Sequence, residues 1–170
     1  MAKLFLMCGI PGSGKTTWAL KHISPLERYV SRDEVRFSMV AENEEYFSKE
    51  KEVFKKFTDL INTYLDAGFN VYADATHLNQ ASRNKLLRAI STKPEEINVI
   101  WIKTPLEEAL KRNENRKGTR AYVPRSVIRR MYYSIETPSF EEGINKIYIV
   151  EDGKPIHIKE EKNVLSVNEL

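Results

Sequence analysis

Short apolar runs alternate along this chain with longer stretches in which apolar residues recur every three or four positions. The apolar runs have the length of buried strands, and the recurring pattern is typical of amphipathic helices. Strands are predicted at 4–8, 28–31, 69–73 and 97–102. The longest predicted helix spans 46–65 and ends near Gly68, and its alternating Lys and Glu side chains are expected to face solvent.

The rest of the chain continues the same alternation. Further helices are predicted at 15–22, 33–40, 80–90, 106–113 and 126–135. Two C-terminal strands, 146–151 and 155–159, are expected to form a hairpin through Asp152-Gly153. This order predicts an α/β fold, in which right-handed crossovers cover both faces of a parallel sheet with helices. Residues 1–170 are expected to form a single domain.

Residues 9–16 read G-I-P-G-S-G-K-T, a complete G-x-x-x-x-G-K-S/T phosphate-binding loop directly after the first predicted strand. In such a loop backbone N–H groups face triphosphate oxygens, the lysine reaches the β and γ oxygens, and the threonine hydroxyl ligates Mg²⁺. A plain Gly/Pro turn would require neither the lysine nor the threonine. We therefore expect ATP and Mg²⁺ as cofactors, with a nucleotide site formed by Gly12, Ser13, Gly14, Lys15, Thr16 and Thr17.

Functional groups collect at the carboxyl ends of parallel strands. Three polar segments follow predicted strands and are expected to meet there, at 9–16, 31–36 and 74–77. In the second segment, Asp33 is a candidate general base for an acceptor hydroxyl. Its alternative role is to cap the helix that follows.

The other polar residues of these segments also have two interpretations. Arg36 is placed to bind a phosphate on the acceptor, or to form a surface ion pair with Glu34 or another nearby acid. Asp74 is placed to orient a Mg²⁺-bound water or hold an arginine, or to cap a helix. His77 has no nearby cysteine or histidine, which favours a loop residue over a metal ligand.

Basic residues are concentrated in one part of the chain. Between Lys111 and Arg130 there are eight basic residues and one acid, although the net charge of the whole chain is only +3. This distribution favours a local anion site over a generally basic surface. Residues 115–124, preceded by Arg112 and including Arg116, are expected to form a basic lid over the triphosphate, with a solvated basic loop as the alternative.

Cys8 is the only cysteine, so we expect no internal disulfide and no cysteine-based metal cluster. A small core residue is its expected role. No apolar run reaches the roughly 18 residues of a membrane span, and the N-terminus leads directly into the first strand. These observations favour a cytoplasmic protein without a signal peptide.

Four segments occur in the order of a known family: G-I-P-G-S-G-K-T-T-W-A (9–19), S-R-D-E-V-R (31–36), K-R-N-E-N-R-K-G-T-R (111–120) and V-P (123–124). Together they resemble the kinase domain of phage polynucleotide 5′-kinases, as far as about Tyr133. The resemblance implies an adenylate-kinase-like P-loop fold with a tunnel through which a nucleic-acid end reaches ATP. It also implies γ-phosphate transfer to a 5′-hydroxyl of DNA or RNA, nucleic-acid repair, and the host cytoplasm as the location of a phage-encoded enzyme.

The resemblance implies a role for each matching residue of the reaction centre. Lys15 and Thr16 would hold ATP and Mg²⁺. Asp33 would be the general base for the 5′-hydroxyl. Arg116 would stabilise the transferring phosphoryl group, and Arg112 would assist at the nucleotide.

On the acceptor side, the resemblance implies that Arg36 binds the phosphate on the 3′ side of the first nucleotide. Asp74 matches the family's aspartate after the third strand. Thr76 is the candidate acceptor-phosphate residue, in a segment one residue longer than the phage pattern. Residues 137–143 instead resemble a broader group of P-loop kinases, which includes small-molecule kinases and toxin-like enzymes.

Three functions are therefore compared. Polynucleotide 5′-kinase activity leads, and a small-molecule kinase for a nucleoside, sugar or antibiotic is the alternative. A nucleotide-dependent binding module is least favoured by the combination of an acid with arginines. Because the sequence contains no D-x-D-G-T motif, 3′-phosphatase activity is not expected. The expected partners are 5′-hydroxyl ends, with a homo-oligomer and a separate ligase or phosphatase left open.

Overall fold

Strands and helices alternate in the predicted order in the computed structural model, which describes residues 1–152 and 154–160. The strands are β1 (Lys3–Cys8), β2 (Arg28–Ser31), β3 (Val71–Asp74), β4 (Glu96–Ile102), β5 (Lys146–Val150) and β6 (His157–Glu160). The helices are α1 (Lys15–His22), α2 (Arg32–Met39), α3 (Glu50–Asp66), α4 (Gln80–Ala89), α5 (Leu106–Glu114) and α6 (Arg125–Tyr133), followed by a 3-10 turn at Phe140–Glu142.

The strands form one sheet in the order β2-β3-β1-β4-β5-β6. Strands β1 to β5 are parallel, and β6 is antiparallel to β5. At the centre of the sheet, Leu4 of β1 lies opposite Val71 of β3 and Ile97 of β4. Parallel neighbours require crossover connections, which the helices supply. The prediction of an α/β P-loop fold with a mainly parallel sheet is confirmed.

The sheet is buried on both faces. On one face, Leu4 packs in a cluster with Phe57 and Ile61 of α3. On the other face, Met7 packs with Ala19 of α1. Burial on both sides explains why the central strands are apolar at successive positions instead of alternating.

Cys8 belongs to the core, with an exposed fraction of 4%. Burial raises the pKa of its thiol to about 12, so the thiol stays protonated at neutral pH and the predicted core role is confirmed. Within residues 1–152 and 154–160, no three or more His, Cys, Asp or Glu side chains are grouped to hold a metal. No helix of these residues is long and apolar enough to cross a membrane.

Helix α3 begins at Glu50, later than the predicted start at residue 46. The prediction was wrong because Tyr46 has the spacing of an apolar helix residue, whereas its hydroxyl accepts a hydrogen bond from Arg36 at 2.9 Å and its backbone lies in a turn. The predicted end is close, since α3 finishes at Asp66 and Gly68 follows with φ 87°.

The predicted C-terminal hairpin is confirmed in its strand pairing, since β5 and β6 run antiparallel with Ile149 opposite His157. Asp152 lies in the turn between them, and Gly153 lies outside the described residues.

A buried ion pair joins α4 to the segment that precedes β5. Arg83 and Glu142 have side chains that are 1% and 2% exposed, and two guanidinium nitrogens donate to the two carboxylate oxygens at 2.7 and 3.1 Å. Arg83 also donates to the backbone carbonyls of His77 (2.9 Å) and Glu136 (3.1 Å). The Glu142 carboxylate accepts the Ser139 N–H at 2.8 Å. This network fixes the loop after β3 relative to the C-terminal part of the domain.

Replacing Arg83 is expected to destabilise the protein strongly. Arg83→Met should lower the free energy of unfolding by about 3–5 kcal/mol, because the Glu142 carboxylate then stays buried without its cation. A double-mutant cycle with Glu142→Gln, measured by urea unfolding, should give a coupling energy above about 1 kcal/mol. The matched cycle at the exposed Lys55 and Asp59 pair should give only about 0.3–0.5 kcal/mol. Equal coupling energies in the two cycles would contradict this assignment.

Candidate active site

The three polar segments at the carboxyl ends of the strands border one cavity of about 560 Å³. The phosphate-binding loop after β1 forms one wall. Residues from the start of α2 form a second wall, and residues 74–77 after β3 form a third. The prediction that these segments meet is confirmed, because β1, β2 and β3 are parallel and end at the same edge of the sheet.

The phosphate-binding loop is held close to α5. Gly12 has φ 81°, and a Cβ there would lie 2.4 Å from the Ala109 carbonyl oxygen, so both the turn and the close approach require glycine. The carbonyl of Ser13 accepts hydrogen bonds from the Thr104 hydroxyl (2.9 Å) and from Arg112 Nη1 (3.0 Å). Arg112 therefore lies against the loop, beside the predicted nucleotide site.

The loop contains polar groups that an anion would satisfy. The Ser13 hydroxyl is buried and has no hydrogen-bond partner among the described residues. Among these residues, Lys15 Nζ donates only to the backbone carbonyls of Gly9 (2.9 Å) and Ile10 (3.2 Å). Burial lowers the pKa of Lys15. A bound triphosphate would supply the missing acceptors and the opposite charge, so the residues present fit ATP.

Asp74 lies at the end of β3, beside the predicted magnesium ligand. Its carboxylate accepts hydrogen bonds from the Thr16 hydroxyl at 3.4 Å and from the Tyr29 hydroxyl. Asp74 is 6% exposed, and burial raises its pKa, while the Lys15 ammonium acts in the opposite direction. A hydroxyl and a carboxylate are oxygen ligands of the kind that Mg²⁺ prefers.

The two other interpretations of Asp74 do not hold. No arginine is among the side chains that bond it in the described part of the chain. Helix α4 is capped instead by Asn79, whose side chain accepts the Ser82 N–H at 2.8 Å. Sequence reasoning missed Tyr29, because a tyrosine in a short strand gives no local sign of a carboxylate partner.

Asp33 is the second residue of α2 and lines the cavity. Ser31 caps the helix, since its hydroxyl accepts the Glu34 N–H at 3.3 Å, so the capping interpretation of Asp33 is wrong. The Asp33 side chain is 64% exposed. Arg36 Nη1 (2.6 Å) and the Tyr46 hydroxyl (3.0 Å) both donate to one of its carboxylate oxygens, which leaves the other accessible from the cavity.

Arg36 is only 6% exposed and is bound by two acids. Besides Asp33, it forms a two-point ion pair with Glu50, with Nε to Oε1 at 2.6 Å and Nη2 to Oε2 at 3.0 Å. The predicted pairing with a nearby acid is therefore confirmed, but the partners are Asp33 and Glu50 instead of Glu34, and the side chain is buried against α3 instead of lying at the surface. Binding of an acceptor phosphate by Arg36 stays a prediction.

Glu50 was expected on the solvated face of α3, and this was wrong. It lines the cavity and also accepts from Arg32 Nη2 at 3.1 Å. Glu50 lies four and seven residues before Phe54 and Phe57, so its spacing places it on the apolar face of the helix; the wrong expectation followed its residue type and not its position. The available signal was this spacing, together with Arg32 and Arg36 on the preceding helix.

The predicted lid segment runs over the cavity as a series of turns. Arg116 and residues 121–124 line the cavity. The Asn113 side chain donates to the Val123 carbonyl at 2.6 Å and accepts the Val123 N–H at 3.0 Å. Arg120 donates to the carbonyls at the end of α2, those of Phe37 and Val40. Opening and closing of the segment stays a prediction.

Another part of the cavity lining is apolar. It is formed by Phe54, Phe57, Leu86, Val127 and Met131. The sequence pattern predicted these side chains only as core positions of helices. A wall of this kind suits the ring of an acceptor more than a second charged group.

Thr76 and His77 complete the wall after β3. The Thr76 carbonyl accepts the Gly9 N–H at 3.1 Å, and the residue lines the cavity, so its contact with an acceptor stays a prediction. His77 is buried with φ 44°, and its Nδ1–H donates to the Met7 carbonyl at 2.7 Å. Burial lowers its pKa to about 4, so its ring is neutral and its role is structural, as expected for a loop residue.

Known proteins resemble this chain in sequence and in fold. The L-seryl-tRNA(Sec) kinase of Methanococcus maripaludis is 24% identical over an alignment of 184 positions. The alignment covers 94% of this chain and 70% of that protein. A chain in the structure of the Pnkp1/Rnl/Hen1 RNA repair complex is 26% identical with a TM-score of 0.68. That match covers 78% of this chain but only 43% of the solved chain. A sugar kinase from a Janibacter species matches 91% of this chain and 87% of its own at 17% identity, with a TM-score of 0.62.

The family comparison covers most of the chain. The model of an AAA domain matches residues 4–138, which include the phosphate-binding loop, Asp33, Asp74 and Arg116. The match and the site geometry together show that this chain belongs to that AAA domain family and is a P-loop kinase.

Proposed function

We propose that this kinase transfers the γ-phosphate of ATP to the 5′-hydroxyl end of RNA or DNA, with Asp33 as the general base. The observation that carries the proposal is the Asp33 carboxylate, which is exposed in the cavity that Lys15 and Arg116 also line. Arg36 and Tyr46 hold this carboxylate in place, so it is oriented before an acceptor arrives.

In the proposed reaction the acceptor oxygen forms a bond to the γ-phosphorus, the bond from that phosphorus to the β–γ bridging oxygen breaks, and ADP leaves. Asp33 takes the hydroxyl proton. Lys15 and Arg116 neutralise negative charge on the transferring group. The segment 115–124 over the cavity is proposed to exclude water as a lid.

The nucleotide is proposed to bind across the phosphate-binding loop. Backbone N–H groups of residues 12–14, with Lys15, Thr17 and Arg112, would hold its phosphates. Thr16, through its hydroxyl, and Asp74, through a bound water, are the residues proposed to hold Mg²⁺. When bound, Mg²⁺ supplies positive charge at the β and γ oxygens.

Two relatives support a nucleic-acid acceptor. One is described as a kinase of seryl-tRNA(Sec), and another match lies in an RNA repair complex. The apolar wall with Phe54 and Met131 is proposed to receive the terminal base, with Arg36 and Thr76 nearest the next phosphate. The occurrence of one match in a repair complex also supports nucleic-acid repair and separate protein partners such as a ligase or phosphatase. A cytoplasmic location and a phage origin stay predictions.

A small-molecule kinase is the second candidate, and one observation favours it. Glu50 already occupies two nitrogens of Arg36, so a phosphate on the acceptor would have to compete with a buried ion pair. A nucleoside, sugar or antibiotic without that phosphate would leave the pair intact. The fold of the Janibacter sugar kinase is consistent with either acceptor.

The direct test is transfer of radiolabelled γ-phosphate from ATP and Mg²⁺ to single-stranded RNA and DNA. We expect label on 5′-hydroxyl ends, none on matched 5′-phosphorylated strands, and loss of labelling in Lys15→Ala, because the lysine ammonium balances phosphate charge. If wild-type protein that binds ATP labels nucleosides or sugars but neither polymer, the second candidate replaces the first.

Substitution of the two reacting side chains should affect turnover and spare nucleotide binding. Asp33→Asn keeps the size and removes the base, and should lower kcat by about 10²–10⁴-fold. Arg116→Ala should lower kcat by about 10³–10⁵-fold, and Arg116→Lys should fall between, because it keeps the charge. ATP affinity, measured by calorimetry, should stay within a few-fold in all three. Glu34→Gln, which changes the exposed neighbouring acid, should behave as wild type, and equal loss in Glu34→Gln and Asp33→Asn would argue against Asp33 as the base.

Asp74→Asn should separate stability from activity. In the nucleotide-free protein, burial raises the Asp74 pKa, so the ionised carboxylate opposes folding at neutral pH. The amide variant should therefore unfold at a higher temperature than wild type at pH 7, and the difference should shrink towards about pH 4, where the unfolded aspartate also protonates. Its Mg²⁺-dependent turnover should fall by about 10–100-fold. Asp59→Asn, which removes only an exposed ion pair, should lower the unfolding temperature slightly and leave turnover unchanged, and a less stable Asp74→Asn at pH 7 would refute the account.

A further inference from the structure

Helix α6 has two functionally different sides. Val127 and Met131 line the acceptor cavity, and Ile128 is fully buried in the core beneath. The opposite side is exposed and carries three arginines and an aromatic ring. We call it the α6 basic face, formed by Arg125, Arg129, Arg130 and Tyr133.

The arginines of the α6 basic face are poorly neutralised. Arg125 forms one exposed pair with Glu114, at 3.3 Å. Arg129 and Arg130 form no ion pair with any residue of the described part of the chain. The whole chain has a net charge of only +3, so this concentration is local.

The charge pattern also opposes the stability of the helix itself. α6 has no acidic residue in its first turn, where the helix dipole favours a negative charge, and Arg125 occupies that turn instead. Arg125 and Arg129 are four residues apart, which places like charges side by side on one face. Both effects destabilise the helix in the free protein. A bound polyanion would relieve both of them.

The location of the face relates it to the cavity. Arg130 directly precedes Met131 and lies three residues after Val127, so it is at the border between the basic face and the cavity wall. Tyr133 at the end of the helix is 79% exposed, which leaves one ring face accessible beside the arginines. A strand whose end reaches Asp33 would pass the cavity wall at Val127 and Met131 before it meets this surface.

We propose that the α6 basic face binds single-stranded nucleic acid behind the reacting end. Its arginines contact successive phosphates, and Tyr133 stacks with a base, which gives affinity without sequence preference. The inference rests on the proposed function for the identity of the acceptor, but it concerns strand binding, which is measured separately from phosphoryl transfer.

The test compares two charge reversals of equal size. Arg129→Glu with Arg130→Glu changes the face, and Arg88→Glu with Lys93→Glu is the control at the end of α4 and in the segment before β4, where both side chains are exposed. Anisotropy of a labelled 5′-hydroxyl dodecamer without ATP should show at least a tenfold weaker Kd for the first variant and wild-type binding for the control. The slope of log K against log salt should fall by about 1–2, at about 0.7 per lost phosphate contact. A Tyr133→Ala variant should weaken binding without changing that slope.

Phosphorylation gives the second readout. The Arg129→Glu, Arg130→Glu variant should lose kcat/KM on the dodecamer and keep it on a 5′-hydroxyl dinucleotide, which does not reach the face. Arg129→Lys with Arg130→Lys should retain most of the dodecamer binding, and both double variants should show wild-type circular dichroism. If the reversal proves unstable, Arg129→Gln with Arg130→Gln serves in its place.

The outcomes separate the two proposals. The α6 proposal would be overturned if the Arg129→Glu, Arg130→Glu variant and the control bound the dodecamer with equal affinity. It would also be overturned if that variant lost kcat/KM equally on the dinucleotide and the dodecamer. Wild-type protein that does not bind the dodecamer at low salt would overturn it too. If wild type binds the dodecamer through these arginines but phosphorylates no polynucleotide, the surface stands and the proposed function fails.

Discussion

The parallel pairing of β1 with β3 is the interaction on which the rest of the site depends. Met7 lies opposite Asp74, and the ladder is extended past both strands by the hydrogen bond from the Gly9 N–H to the Thr76 carbonyl. The phosphate-binding loop therefore leaves the sheet beside Asp74, the last residue of β3. Because side chains alternate between faces, a slip of one residue would turn Asp74 away from Thr16. Burial of β1 on both faces fixes the register that holds these two residues together.

The acids of the cavity are already held by other side chains, whereas two cations near the proposed position of the transferring phosphate are not. Asp33 and Glu50 are bound by arginines, and Asp74 by two hydroxyls. Lys15 and Arg116 also line the cavity, and neither forms an ion pair with a described residue. The nucleotide-free site thus holds positive charge without a direct ion pair beside the phosphate-binding loop, although the nearby Asp74 carboxylate attracts Lys15. In a low-dielectric cavity, this charge is available to an incoming anion without prior rearrangement.

Sequence was most informative where local geometry requires particular residues. The phosphate-binding loop, the strand before it and the positions of Asp33 and Asp74 were predictable, since each depends on neighbours in sequence. The ion pair of Glu50 was not, because its partner Arg36 lies on another helix. The spacing from Phe54 and Phe57 puts Glu50 on the apolar face of α3, but its residue type suggested solvent. The S-x-x-E pattern at 139–142 was a readable capping signal, but the long-range ion pair of Glu142 with Arg83 was not.

The buried state of Arg36 limits how an acceptor can be recognised inside the cavity. Replacing its carboxylate partners with a phosphate exchanges one strong pair for another, so the net gain in binding free energy is small. Other cavity groups include the Asp33 carboxylate, the Arg116 guanidinium and an apolar wall, and in the proposed function these would receive a hydroxyl attached to a ring. These groups do not distinguish a free nucleoside from the end of a strand. For a polynucleotide acceptor, that distinction has to come from outside the cavity, and the α6 basic face, next to Met131, carries the exposed charge that a strand requires.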